Sequence, residues 1–261
     1  MTEPATYEVF AVKYAERDAR RPEHFLGGDP HDVPMPMDYF VWAMVGRDTT
    51  IVVDTGFNTL DAHNRNRRLL RTAAEGLALI GVDAATSETV VLTHLHYDHA
   101  GGFDQFPNAR FHVQDREMAF ATGRHMSESE QSHAFTARHV AEMVMAVHAK
   151  RVQFHDGDAE LAPGISLHHI GGHTDGLQAV RVDTATGPLV LASDASHYYE
   201  NMQAERPFPI VFDVPAMIAG YARLRSLAGP GGVIVPGHDP MVFERHPAAD
   251  PALTGVAVRL G

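Results

Sequence analysis

Between positions 93 and 102 the sequence reads Thr93-His94-Leu95-His96-Tyr97-Asp98-His99-Ala100-Gly101-Gly102. Three imidazoles and a carboxylate fall within six residues, directly after the apolar run Thr89-Val90-Val91-Leu92. A short β-branched strand ending in such a cluster delivers its side chains into one small volume. Neutral imidazole and carboxylate are the donors that zinc and its first-row neighbours prefer, so the chemistry to expect is metal binding. Gly101 and Gly102 are expected to let the backbone turn tightly past the site.

Such a cluster needs partners from elsewhere, and three other segments offer them. Gly171-Gly172-His173-Thr174 follows Ile165-Ser166-Leu167-His168-His169-Ile170, a strand ending in a glycine turn and a histidine. Leu189-Val190-Leu191-Ala192-Ser193-Asp194 ends in a carboxylate, and Val233-Ile234-Val235-Pro236-Gly237-His238 ends again in Gly-His. Each polar residue stands where a buried strand meets a loop, the usual place for a scaffolded site. His94, His96, Asp98, His99, His173, Asp194 and His238 are too many donors for one tetrahedral ion. They suit two ions about 3.5–4 Å apart sharing a carboxylate and a hydroxide.

With these motifs the chain resembles the metallo-β-lactamase superfamily and, within it, the N-acyl homoserine lactonase branch. The resemblance runs from the Asp54-Thr55-Gly56 turn to His238. It implies that His94, His96 and His173 hold one metal, that Asp98, His99 and His238 hold a second, and that Asp194 bridges them. The function it implies is opening of a lactone ring by a metal-bridging hydroxide, with metal polarising the carbonyl and Asp98 serving as ligand and proton shuttle. The chain departs from the branch at one position. Homoserine lactonases carry a substrate-contacting tyrosine three residues after the bridging Asp, where this chain has His197 in Asp194-Ala195-Ser196-His197-Tyr198-Tyr199. Either His197 takes that role, or Tyr198 reaches in, or the substrate differs. Gly171 also replaces the proline of the branch's Pro-Gly-His, a change expected to affect loop stiffness.

Composition fits a soluble enzyme. At 261 residues the chain is long enough for one large domain, with 44% apolar and 21% charged residues. No cysteine is present, which leaves N and O donors for metal and permits a cytoplasmic address. The opening Met1-Thr2-Glu3-Pro4-Ala5-Thr6-Tyr7-Glu8 is acidic and lacks a signal peptide's apolar core. No run reaches the length of a membrane span, and a net charge of -12 disfavours nucleic acid. Ser193 and Ser196 lack a nucleophile-elbow pattern, so a Ser-His-Asp hydrolase is disfavoured.

The elements that must position these residues fall into two similar halves. Strands are expected at residues 7–15, 38–45, 50–54, 88–93 and 110–114, then at 152–155, 165–170, 177–182, 189–193 and 233–235. Helices are expected at 64–80, 115–122, 127–150 and 215–228. In the first helix Leu69, Leu70, Ala73, Leu77 and Ile80 would face inward, leaving Arg65, Arg67, Arg68 and Arg71 either on a solvated face, the reading the periodicity favours, or free to meet an anionic substrate or a phosphate backbone. Ser127-Glu128-Ser129-Glu130 would cap the third. The order fits one unit over residues 1–261: an αββα sandwich of two mixed sheets with helices outside and every ligand-bearing strand end on one edge. Residues 115–150 form a helical insert in this scheme.

Residues 21–37 carry four prolines and two glycines, which exclude regular structure. Phe25, Leu26, Met35 and Met37 suit either a lip over the site or a homodimer contact. Asp54 is placed to accept the free N–H of a ligand imidazole, and Thr93, Thr174 and Asp175 could do likewise. His24, His31, His63, His112 and His125 read as surface or loop residues, and His168 and His169 as strand residues rather than ligands. Three classes remain for the site: a lactonase with two divalent ions, foremost zinc with manganese, iron or cobalt as alternatives; a glyoxalase-II-type thioesterase, which needs a cationic grip on glutathione; and an iron-dependent sulfur dioxygenase, which uses fewer ligands.

Overall fold

In the computed structural model, described over residues 6–261, two β-sheets pack face to face with helices on both outer sides. The acidic start at residues 1–5 lies outside the described residues. Among these residues the first sheet comprises β1 (Glu8–Arg17), β2 (Met37–Val45), β3 (Thr50–Val53), β4 (Arg68–Leu69), β5 (Thr89–Val91), β6 (Arg110–Gln114), β7 (Val152–His155) and β13 (Ala257–Arg259). The second comprises β8 (Ala159–Ala162), β9 (Ile165–His169), β10 (Gln178–Thr184), β11 (Gly187–Ser193) and β12 (Val233–Pro236). Both are mixed: β3, β5, β6 and β7 run parallel, as do β11 and β12, while the other pairs are antiparallel.

Alternation along the strands builds three apolar layers. On β2, Phe40, Trp42 and Met44 face the layer between the sheets, while Tyr39, Val41 and Ala43 face the outer helices. On β11, Leu189 and Leu191 join the inner layer and Val190 and Ala192 the outer one. A strand buried on both faces must read as a continuous apolar run, and these do. The helices are α1 (Thr59–Asn64), α2 (Ala73–Leu79), α3 (Tyr97–Ala100), α4 (Asp115–Ala121), α5 (Ser129–Ser132), α6 (Ala137–His148), α7 (Tyr199–Gln203), α8 (Val214–Ala228) and α9 (Met241–Arg245).

Two expected helices are divided. Residues 64–80 do not form one helix. Asn66 adopts a left-handed conformation (φ 53°) that ends α1, Arg68 and Leu69 pair with β1 as β4, and Thr72 with Glu75 forms a capping box that starts α2. Ala73 and Leu77 are buried as expected, but Leu70 is exposed. Residues 127–150 break between α5 and α6, so Ser127 does not cap a long helix. Arg65 donates to the carbonyls of His133 and Phe135, which a continuous helix would use internally. This break drops the Phe135 ring edge-on against His96, at 4.5 Å between centroids.

The proline-rich segment contains one short 3-10 turn, Arg21–His24, where irregular chain was expected. Pro22 sits at its first turn, where a missing N–H costs nothing. Phe25 is buried between the guanidinium groups of Arg21 and Arg206, and Met37 is buried at the start of β2, whereas Leu26 and Val33 are exposed.

Candidate metal centre

The carboxyl ends of the parallel strands meet at one edge of the sandwich. Asp54 follows β3, the His94–His99 loop follows β5, Asp194 follows β11 and His238 follows β12; His173 stands on the loop joining β9 to β10. All seven expected donors are brought together and buried. His94, His96 and His173 form one group whose ligand atoms lie within 4.8 Å of one another, and Asp98, His99 and His238 form another. Asp194 stands between them. Its Oδ2 lies 3.3 Å from His173 Nε2 and 3.8 Å from His94 Nε2, while its Oδ1 lies 3.4 Å from His99 Nε2 and 3.0 Å from His238 Nε2.

The ring orientations are fixed from behind. His173 Nδ1 donates to the Ile210 carbonyl (2.6 Å), and His238 Nδ1 donates to the Asp38 carbonyl (2.9 Å). His99 Nδ1 donates to Asp54 Oδ2 (2.7 Å), the part expected of Asp54. Because those partners only accept, each Nδ1 carries a proton and each Nε2 is the atom turned inward, available to a metal. The Thr93 hydroxyl donates to Asp54 Oδ2 at 2.9 Å, so at 3.2 Å it can only accept from His94 Nδ1. His94 Nε2 and His173 Nε2 therefore face each other at 3.2 Å with two lone pairs and no proton between them. Buried His99 Nε2 and Asp194 Oδ1 likewise have no hydrogen bond; the 3.0 Å approach of His238 to Asp194 Oδ1 is not aligned as one. Converging buried lone pairs and carboxylate oxygens repel unless a cation lies among them, so the donor set fits divalent metal.

Electrostatics point the same way. Burial, and then the neighbouring imidazoles, push the pKa of His94 and His96 well below the ordinary histidine value. Burial opposes charge on His99 and His238 too, yet Asp194 and its neighbouring carboxylates outweigh it and raise both. For Asp194 burial opposes ionisation, and the surrounding histidines overcome it and hold the carboxyl far below its usual range. A pocket that draws protons onto buried imidazoles in this way also draws a metal cation.

Gly101 and Gly102 serve otherwise than expected. Neither has a positive φ; a Cβ on Gly102 would come within 2.3 Å of the Thr55 carbonyl oxygen, so close approach of two chains demands glycine there. At Gly237 a Cβ would lie 2.5 Å from Asp194 Oδ1.

His197 and Tyr198 part company. His197 lines the cleft, stacks on Phe208 at 3.4 Å between centroids, and places Nε2 3.0 Å from Asp194 Oδ2. Burial lowers its pKa to about 3, so the ring is neutral. Tyr198 points away from the cleft, with its hydroxyl 3.1 Å from His24 Nε2 and 3.0 Å from the Pro36 carbonyl. Its expected reach toward the site is therefore corrected to a contact with the 21–37 segment. His24, expected on the surface, is buried by this contact.

Sequence reasoning missed one feature and favoured the wrong alternative for another. Glu117 is fully buried and accepts from the Leu95 amide, the Thr174 hydroxyl and the Gly176 amide, joining the two ligand loops. Its place in the first turn of a helix gave no signal of this. Arg65 and Arg67 are not on a solvated helix face; with Arg17, Glu23, His24, Met37 and Phe208 they line the cleft above the candidate metal ligands, a space of about 100 Å³. Thr174 supports the site through Glu117, whereas the Asp175 carbonyl reaches His169 rather than a ligand.

The sequence pattern of the metallo-beta-lactamase superfamily matches residues 35–238. The chain belongs to that superfamily. Among superfamily members, an N-acyl homoserine lactonase from Bacillus sp is 28% identical over 228 residues, covering 80% of this chain and 82% of its own. One from Bacillus cereus is 28% identical over 212 residues, covering 75% and 76%. A solved superfamily structure, an N-acyl homoserine lactone hydrolase with the product N-hexanoyl-L-homoserine at its catalytic metal center, superposes with a TM-score of 0.76. It is 21% identical and covers 93% of this chain and 96% of its own. The αββα arrangement expected from the sequence is the fold these neighbours share.

Proposed function

We propose that this chain is a metal-dependent hydrolase that opens the ring of a lactone, of the N-acyl homoserine lactone kind or chemically related. The observation that carries the reading is the division of donors around Asp194, one oxygen toward His94 and His173 and the other toward His99 and His238. That division favours two divalent ions, foremost zinc and otherwise manganese, iron or cobalt, with His96 and Asp98 completing the two sets. When bound, such ions supply Lewis acidity and a hydroxide near neutral pH.

The chain's own residues do the rest. Asp54, Ile210 and Asp38 hold three imidazoles in the ligand tautomer. Asp98 lines the cleft, and its Oδ2, 3.7 Å from the Nε2 atoms of both His99 and His238, can hold a proton for the departing ring oxygen. Neutral His197 donates from Nε2 to Asp194 Oδ2 and fixes that carboxylate. Met37, Phe208 and Ile210 give the cleft an apolar lining that excludes water from the reacting centre.

Support for the substrate class comes from the curated relatives named as N-acyl homoserine lactonases. The glyoxalase-II-type reading retains one supporting observation, the arginines of the cleft. The test is metal analysis together with a kinetic screen of lactones against acyl-glutathione thioesters. Two divalent ions per chain and lactone opening are expected. Thioester cleavage without lactone opening, or one redox-active iron with oxygen uptake, would overturn the proposal. A homodimer through the 21–37 segment and a cytoplasmic address belong to the same reading, checked by sedimentation and cell fractionation.

A further inference from the structure

The cleft is chemically two-sided. Phe208, Pro209 and Ile210 provide an apolar lining, whereas Arg65 and Arg67 bring guanidinium groups to the same space. The two arginines are held differently. Arg65 lies over the Tyr97 ring at 4.0 Å and donates to the carbonyls of His133 and Phe135, so its donors are occupied by backbone. Arg67 donates through Nε to the Tyr97 hydroxyl (3.0 Å) and through Nη1 to the Arg65 carbonyl (2.5 Å). Among the described residues its Nη2 has no hydrogen-bond partner and neither guanidinium has an ion-paired carboxylate within 4.0 Å, Asp98 acting on Arg67 only from farther off.

That pattern differs from the other arginine of the cleft. Arg17 is paired with Glu23 and so is neutralised locally. Arg67 is part-buried, pinned by two bonds into one orientation, and left with an open edge of its fork. A planar, pre-oriented guanidinium whose open edge has no directly paired carboxylate is suited to bind a carboxylate or similar anion.

We propose that Arg67, braced by Arg65, recognises an anionic group on the substrate, so that the preferred lactone carries a carboxylate or comparable anion rather than a wholly apolar acyl arm. This rests on the lactone-opening reading above and narrows its substrate class. Arg67 is a specificity-determining residue in this scheme; the metal ligands and Asp98 carry the chemistry.

The test uses a matched pair of γ-lactones, one bearing a ring carboxylate and the other the corresponding carboxamide. The metal-loaded enzyme is expected to favour the carboxylate in kcat/KM by roughly ten- to hundredfold, mostly through KM. The ratio should shrink as salt is raised, fall toward one in Arg67→Met and take an intermediate value in Arg67→Lys. Calorimetric titration with the two ring-opened hydroxy acids, one a dicarboxylate and the other carrying only the carboxylate released by ring opening, measures the effect of the additional anion without turnover. A ratio near one in the wild-type enzyme, or one kept in Arg67→Met, overturns the inference. If Arg67→Met does not fold, the salt dependence and Arg67→Lys decide it. Turnover of neither lactone, with the binding preference intact and lost in the variant, would instead sink the lactone-opening reading and leave the anion site standing.

Discussion

Glu117 accepts three donors, from Leu95 at 2.8 Å, Thr174 at 2.6 Å and Gly176 at 3.2 Å, and has no exposed surface. Leu95 lies between candidate ligands His94 and His96, and Thr174 follows candidate ligand His173. One carboxylate therefore sets the distance between the two loops. Glu117→Gln keeps the shape but turns an amide N–H₂ toward a donor. The expected loss is about 1–3 kcal/mol of stability and roughly ten- to hundredfold in metal affinity. Urea unfolding and competition with a chromophoric chelator measure the two losses, and unchanged values for both would refute the role. The seven candidate ligands were legible in the sequence because a metal needs donors clustered at strand ends, and that pattern is local; the structure brings them together. Glu117 was illegible because its three partners come from segments 22 to 59 residues away.

At the scale of elements, strand alternation carried most of the fold. β6 and β7 fall at the bounds expected from sequence, since each is a short run whose period is two. The errors came where side chains from elsewhere compete with local propensity. Arg65 takes carbonyls that residues 127–150 would need for one helix, and β1 recruits Arg68 and Leu69 into β4. The β6–β7 pair also predicts a pH response. His112 Nδ1 and His155 Nε2 lie 3.0 Å apart with rings nearly parallel, and burial, together with His155, lowers the His112 pKa to about 4. Between that value and the unfolded value of about 6.5, the unfolded chain binds more protons, so stability is lost as pH falls through this window. The thermal midpoint should drop on acidification from pH 6.5 to 4, with a smaller slope in His112→Gln. Equal slopes in scanning calorimetry would remove the pair from the explanation. The capping box at α2 gives a simpler expectation. Thr72→Ala should cost about 1 kcal/mol in urea unfolding, because Glu75 N loses its acceptor at 3.1 Å.

For the whole molecule, the first sheet carries His94, His96, Asp98 and His99 on its loop, and the second carries His173, Asp194 and His238. A metal held by all seven donors would thus bind the docked pair of sheets far more tightly than the unfolded chain, which keeps only the local His94–His99 cluster. At a free metal concentration a thousandfold above Kd, this linkage is worth about 4 kcal/mol, so stripping metal with chelator should lower the melting midpoint by roughly 8–16 °C. A midpoint unmoved by chelation and by re-addition of zinc would mean that the cluster holds no ion in the folded protein. The layer between the sheets also contains Trp42, the only tryptophan in the sequence, fully buried and with its indole N–H unpartnered. Its fluorescence is accordingly a clock for the meeting of the two sheets. In stopped-flow refolding the blue shift of that emission should precede metal uptake seen with a chelating dye. Added zinc should slow the loss of the blue-shifted signal far more than it speeds its arrival.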